Sequence, residues 1–201
     1  MTCSAVDPQE LARVRRKIFL ALFAALAIAV HTLEVLLPTP LPWFRLGLAN
    51  VLTLVALFLY GGRAAWTVSL TRVGLGSLVL GRLFGPGFWL ALSGAVCATT
   101  VMILAWRWLR PWLGPVGISL LGAVAHIGGQ LLVAGLLLIR HAGLWQMFPL
   151  FLLVAVVTGL LTGVLAAALL ERLRQYPPFR ESGQCSVPGA RLSNAAHHAN
   201  D

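Results

Sequence analysis

The chain has 201 residues, of which 59% are hydrophobic and only 10% charged, and its mean hydropathy is +0.86. A soluble domain carries about 25% charged residues because it meets water on every side, so this composition excludes a soluble globular protein. Fifteen basic residues against six acidic ones give a net charge of +9. Eight of the basic residues flank the apolar block at its two ends, which points to anionic lipid headgroups and away from nucleic acid.

A helix needs roughly 20 apolar residues to cross the bilayer core. In chain order the apolar runs are Ile18 to Leu37, Leu46 to Tyr60, Ala64 to Gly81, Phe84 to Trp106, Pro115 to Ile139 and Leu144 to Leu170. The second is short and is entered through Pro38, Pro40 and Pro42. Gly61-Gly62, Gly85-Pro86-Gly87, Pro111 and Pro115 punctuate the breaks. The least marked break separates the third run from the fourth. The first run follows the basic stretch Arg13 to Lys17 and is too long for a cleaved signal peptide, so it reads as a retained helix. The expected architecture is an all-α membrane protein: a basic segment over 1–17, a six-helix transmembrane domain over 18–170 and a disordered tail over 171–201.

The basic residues orient that bundle. With the N-terminus in the cytoplasm, eleven Arg and Lys residues from Arg13 to Arg191 fall inside, against Arg45, Arg82 and Arg140 outside. The positive-inside rule then puts both termini in the cytoplasm of a cell, or inner, membrane.

Several chemistries are excluded by what is missing. A P-loop needs a lysine after a glycine-rich turn, and the single lysine, Lys17, has no glycine before it. Prenyl transfer on magnesium-bound diphosphate needs clustered carboxylates, and the two aspartates, Asp7 and Asp201, stand at opposite ends. Cys3 and Cys185 fall in cytoplasmic tails and Cys97 within the fourth run, so neither a disulfide nor a metal site is expected. His197 and His198, adjacent in a polar tail, read as inert. No enzyme activity and no cofactor is expected.

Polar residues inside the membrane are costly and therefore informative. The first run carries His31 and Glu34, three apart on one face; the second carries Asn50; the fifth carries Ser119, Ala123, His126 and Gln130 as one stripe. At ~1.5 Å per residue, His31, Glu34, Asn50, His126 and Gln130, with Ser77 and Ser93, fall roughly 16–24 Å from the cytoplasmic side. Five helices thus contribute to one layer, which suggests a pocket opening outward. His31, Glu34, Asn50, His126 and Gln130 are the candidate solute-binding residues, while Ser77, Ser93 and Ser119 read as helix-to-helix glue. Arg72, judged about 12 Å up by the same measure, reads as an anchor that snorkels to the inner interface or bonds helix-end carbonyls rather than as a partner of Glu34. Ala21, Ala25 and Ala29 form a small-residue stripe roughly 150° around the first helix from His31 and Glu34, at 100° per residue. Gly159, Gly163 and Ala167 form a similar stripe on the sixth. Such stripes serve either internal packing or a partner surface.

The stretch Pro42-Trp43-Phe44-Arg45-Leu46-Gly47-Leu48-Ala49-Asn50-Val51 resembles the signature of the Gx transporter family, also labelled heptaprenyl diphosphate synthase component I. Arg72 with Leu75-Gly76-Ser77, Leu92-Ser93-Gly94, and the run Gly117 to His126 followed by Gly129-Gln130 extend the resemblance over about 15–172. The family pattern often has asparagine after the histidine, where this chain has Ile127. The resemblance implies a six-helix bundle similar to the substrate-binding S components of energy-coupling-factor transporters. These capture a small solute on the outer side and dock on a transmembrane coupling subunit with paired ATPases. In several groups an alanine-every-four pattern on the first helix makes that contact, a pattern Ala21, Ala25 and Ala29 match. The synthase label implies instead a non-catalytic membrane partner of a separate prenyl diphosphate synthase.

Overall fold

A computed structural model describes residues 8–36, 47–109, 111–138 and 146–175. Among these residues there is no strand, and six helices follow one another: α1 (Pro8–Leu36), α2 (Leu48–Tyr60), α3 (Gly62–Val79), α4 (Pro86–Trp108), α5 (Pro115–Val133) and α6 (Phe148–Gln175). The π-helical turn Ala134–Leu138 extends α5. Among the described residues, four stretches are long and apolar enough to cross a membrane: Arg13–Glu34, Pro86–Trp108, Pro115–Leu136 and Phe148–Gln175. The other two helices differ for separate reasons. α2 has only 13 residues, about 20 Å at ~1.5 Å per residue, and α3 carries both Arg63 and Arg72.

The helix ends follow from local chemistry and move several expected boundaries. α1 begins ten residues before its apolar run, with Pro8 in a position where a missing N–H costs nothing and Glu10 in the first turn. α2 begins at Leu48 because Gly47, with φ of 68°, takes the left-handed conformation just before it. Between α2 and α3 stands a single residue. Gly61, at φ 87° and ψ −177°, occupies a region essentially closed to side-chain-bearing residues and so folds the chain back on itself. The weakly marked break after α3 is a Schellman turn: Gly81 (φ 63°) donates to the Leu78 carbonyl and Arg82 N–H to that of Ser77. Pro86 and Pro115 then open α4 and α5. α6 continues past the expected boundary at 170 to Gln175, since Glu171, Arg172 and Arg174 are good helix formers that need only reach water. The remainder of the expected tail, with His197 and His198, lies outside the described residues, as do Cys3, Cys185 and the Pro38–Pro42 stretch.

Helices α2, α3, α4, α5 and α6 close a ring in which each touches the next and α6 returns to α2; α1 packs outside it against α2 and α3. α2 is buried nearly all round, at Val51, Leu52, Leu54, Val55, Ala56 and Leu57. A helix that is apolar on every face belongs in such a place. Two interhelical hydroxyl bonds tie the ring. Thr99 Oγ1 donates to Ser69 Oγ at 2.9 Å, and Ser119 Oγ meets Thr162 Oγ1 at 2.8 Å. Each contributes about 0.6 kcal/mol in a membrane interior.

Between α5 and α6 the backbones approach closely at glycine. A Cβ built on Gly163 would stand 2.7 Å from the Val116 Cα, and one on Gly159 would stand 3.1 Å from the Leu120 Cα. The sixth-helix stripe therefore packs internally. On α1 the opposite holds: Phe23, Ala27, His31 and Glu34 are buried, while Ala21, Ala25 and Ala29 are exposed beside Ile18, Leu22, Leu26 and Leu33.

At the end of the bundle where α2 meets α3, Arg16 of α1 donates from Nη2 to the Tyr60 carbonyl at 3.0 Å. Its guanidinium lies 5.9 Å from the centroid of the Tyr60 ring. A cation on the last carbonyls of α2 complements the helix dipole and ties α1 to the α2–α3 turn.

Candidate functional site

A polar contact that carries a buried charge joins α2 to α3. Arg72 is 5% exposed and donates from Nη1 to Asn50 Oδ1 at 3.0 Å. The geometry follows from the one-residue turn at Gly61: Asn50 lies eleven residues before it and Arg72 eleven after. Two antiparallel helices leaving a common turn place such residues at one level. A buried guanidinium is tolerable only where oxygen acceptors face it, and the Asn50 amide supplies one. This corrects the expectation that Arg72 snorkels to the interface. It belongs to the polar layer, and reasoning from depth alone missed it because each helix was measured from its own approximate end.

On α1, His31 and Glu34 are both buried, at 8% exposure each. The His31 ring lies on Gly76 of α3, where a Cβ would come within 2.8 Å of His31 Cδ2. Gly76 stands one turn beyond Arg72, so α3 presents the Arg72 side chain and the seat for His31 on a common buried face with Ser69, Val73 and Ser77.

The α5 candidates sit on α4 in a similar way. A Cβ on Gly94 would meet His126 Cε1 at 2.8 Å, His126 Nε2 at 2.9 Å and Gln130 Cγ at 2.9 Å. His126 and Gln130 are half-buried. Their one-turn spacing lets a single glycine accommodate both side chains. The described contacts therefore arrange four of the five candidates in two groups. His31 and Asn50 both meet α3, at Gly76 and Arg72, and His126 with Gln130 rests on α4; Glu34 follows His31 by one turn on the buried face of α1. α3 and α4 adjoin through Val73, Ala91 and Ala95, so each histidine lies against a glycine of one of these two neighbouring helices.

The serines behave as packing groups. Ser93 Oγ donates to the Leu90 carbonyl of its own helix at 3.0 Å, Ser119 bonds Thr162, and Ser77 is buried on α3. Thr162 was not singled out in the sequence. It also donates to the Thr158 carbonyl at 2.9 Å, which hides a hydroxyl among apolar residues and leaves no pattern to read. Cys97 is a free thiol, and its Sγ faces Gly129 across the α4–α5 contact. Among the described residues no group of three or more His, Cys, Asp or Glu stands close enough to hold a metal ion.

With this arrangement in view, comparison with known families finds a match. The family described as heptaprenyl diphosphate synthase component I covers residues 23–169. The chain belongs to this family. The matched region runs from the buried face of α1 to the last turns of α6, so it contains both groups of candidate residues. The family is described as that of a synthase component. No curated protein and no solved structure matches the chain.

Proposed function

We propose that this protein is the membrane-embedded solute-capture component of an energy-coupling-factor-like transporter. It crosses the cell membrane six times with both termini in the cytoplasm, takes a small organic solute from the outer side and relies on a separate coupling subunit and ATPases for energy. The buried charge carries this reading. A bundle that needs only cohesion uses hydroxyls, as this one does at Ser69–Thr99 and Ser119–Thr162. Glu34, Arg72 and two histidines cost far more to bury than cohesion requires, and intramembrane ionisable groups mark sites by default. In the proposal His31, Glu34, Asn50, His126 and Gln130 contact the solute. Arg72 holds Asn50 in place, and Ala21, Ala25 and Ala29 on the exposed face of α1 receive the coupling subunit.

The family description favours a second reading, in which the chain is a non-catalytic membrane partner of a prenyl diphosphate synthase. Gentle detergent extraction followed by identification of co-purifying proteins separates the two. A transmembrane subunit with ATPases supports transport, and a soluble prenyl synthase in their place supports the second reading.

A further inference from the structure

Away from the polar layer, the ends of α2, α5 and α6 enclose an open cleft of about 630 Å³. Its floor is apolar, formed by Phe58, Leu113, Ala167 and Leu170, and its rim carries Glu171 and Arg174. These two lie three residues apart on α6 and so share one face, setting an anion and a cation side by side above an apolar floor. Two tryptophans indicate the depth of the cleft in a bilayer. Trp108 and Trp112 are 71% and 88% exposed, and Trp112 immediately precedes Leu113. Tryptophans that the bundle leaves outside belong at the headgroup level of a membrane, where the molecules at hand are lipids.

We propose that this cleft is a binding site for a zwitterionic phospholipid of the phosphatidylethanolamine type. The start of an acyl chain covers Phe58, Leu113 and Leu170, the phosphate faces Arg174 and the ammonium faces Glu171. An anionic phosphatidylglycerol matches Arg174 equally well but offers the Glu171 carboxylate only neutral hydroxyl donors where phosphatidylethanolamine offers an ammonium. The rim thus discriminates by charge pattern, not by net charge. The site is independent of the solute layer and of the partner that the α1 face takes.

Native mass spectrometry of the full chain, released from nanodiscs of equal phosphatidylethanolamine and phosphatidylglycerol content, tests this directly. The wild type is expected to retain one phosphatidylethanolamine, several-fold over phosphatidylglycerol. Glu171→Gln should abolish the preference while keeping lipid bound, and Arg174→Gln should lose both lipids. The charge-reversed pair Glu171→Arg with Arg174→Glu should restore the preference, which distinguishes recognition from a fault in folding. Retention of no lipid, equal retention of both by the wild type, or an unchanged preference in Glu171→Gln would each overturn the proposal.

Discussion

Glu34 closes the buried face of α1 that starts at Phe23 and passes through Ala27 and His31. Its position was legible because an acid in an apolar run stands out, and the spacing to His31 fixed their common face. Replacement by glutamine keeps the size and removes the charge. We expect Glu34→Gln to weaken solute binding at least tenfold, about 1.4 kcal/mol, while the amide, close to the acid in size, leaves the protein folded. Binding and melting measured on one preparation separate a ligand contact from a structural one. Asn50 makes the opposite case. Asn50→Ala removes an acceptor from a buried guanidinium, and the expected loss of stability is about 1.5–3 kcal/mol, the range for hydrogen bonds to charged groups. An unchanged unfolding midpoint would show that Arg72 finds equivalent acceptors elsewhere. The Arg72–Asn50 bond was hidden in the sequence only by how depth was measured. Counted from Gly61 in both directions, the two residues are level.

At the scale of the element, two stripes with one pattern have two uses. Gly159 and Gly163 on α6 meet the backbone of α5, whereas Ala21, Ala25 and Ala29 on α1 are exposed. Sequence alone gives a small residue every four positions in both helices and no means of telling an inner face from an outer one; the packing of α5 against α6 decides it. Gly163→Val should therefore destabilise the fold by at least about 1–3 kcal/mol through overpacking against Val116. Ala25→Phe should leave the melting temperature unchanged and abolish association with a coupling subunit. Loss of folding in Ala25→Phe, or retained association, would remove α1 as the docking helix. The existence of the helices was readable from the apolar runs and the glycine and proline breaks between them. The ends at Gly47 and Gly81 were not, because a left-handed glycine and one in a helix look alike in sequence.

The described helices form a ring of five with α1 laid against it, and the orientation proposed for them rests on the distribution of Arg and Lys. A reporter fused after Arg174 should behave as intracellular and one inserted near Pro40 as extracytoplasmic. A C-terminal reporter on the outer side would mean an odd number of crossings and would reverse the face of the bundle on which the polar layer opens. The burial of His31 and Glu34 was foreseeable, since an ionisable group in an apolar run is tolerated only on an inner face. The division of the candidates into a group on α1–α3 and a group on α4–α5 was not, because neighbour relations in a ring depend on which helices close it. Whether this layer holds a solute is decided by native mass spectrometry of the gently extracted wild type and Glu34→Gln proteins. A small organic molecule is expected on the wild type and not on the variant, with a coupling subunit and ATPases in the same preparation. A wild type that carries no small molecule and co-purifies with a soluble prenyl synthase would contradict solute capture.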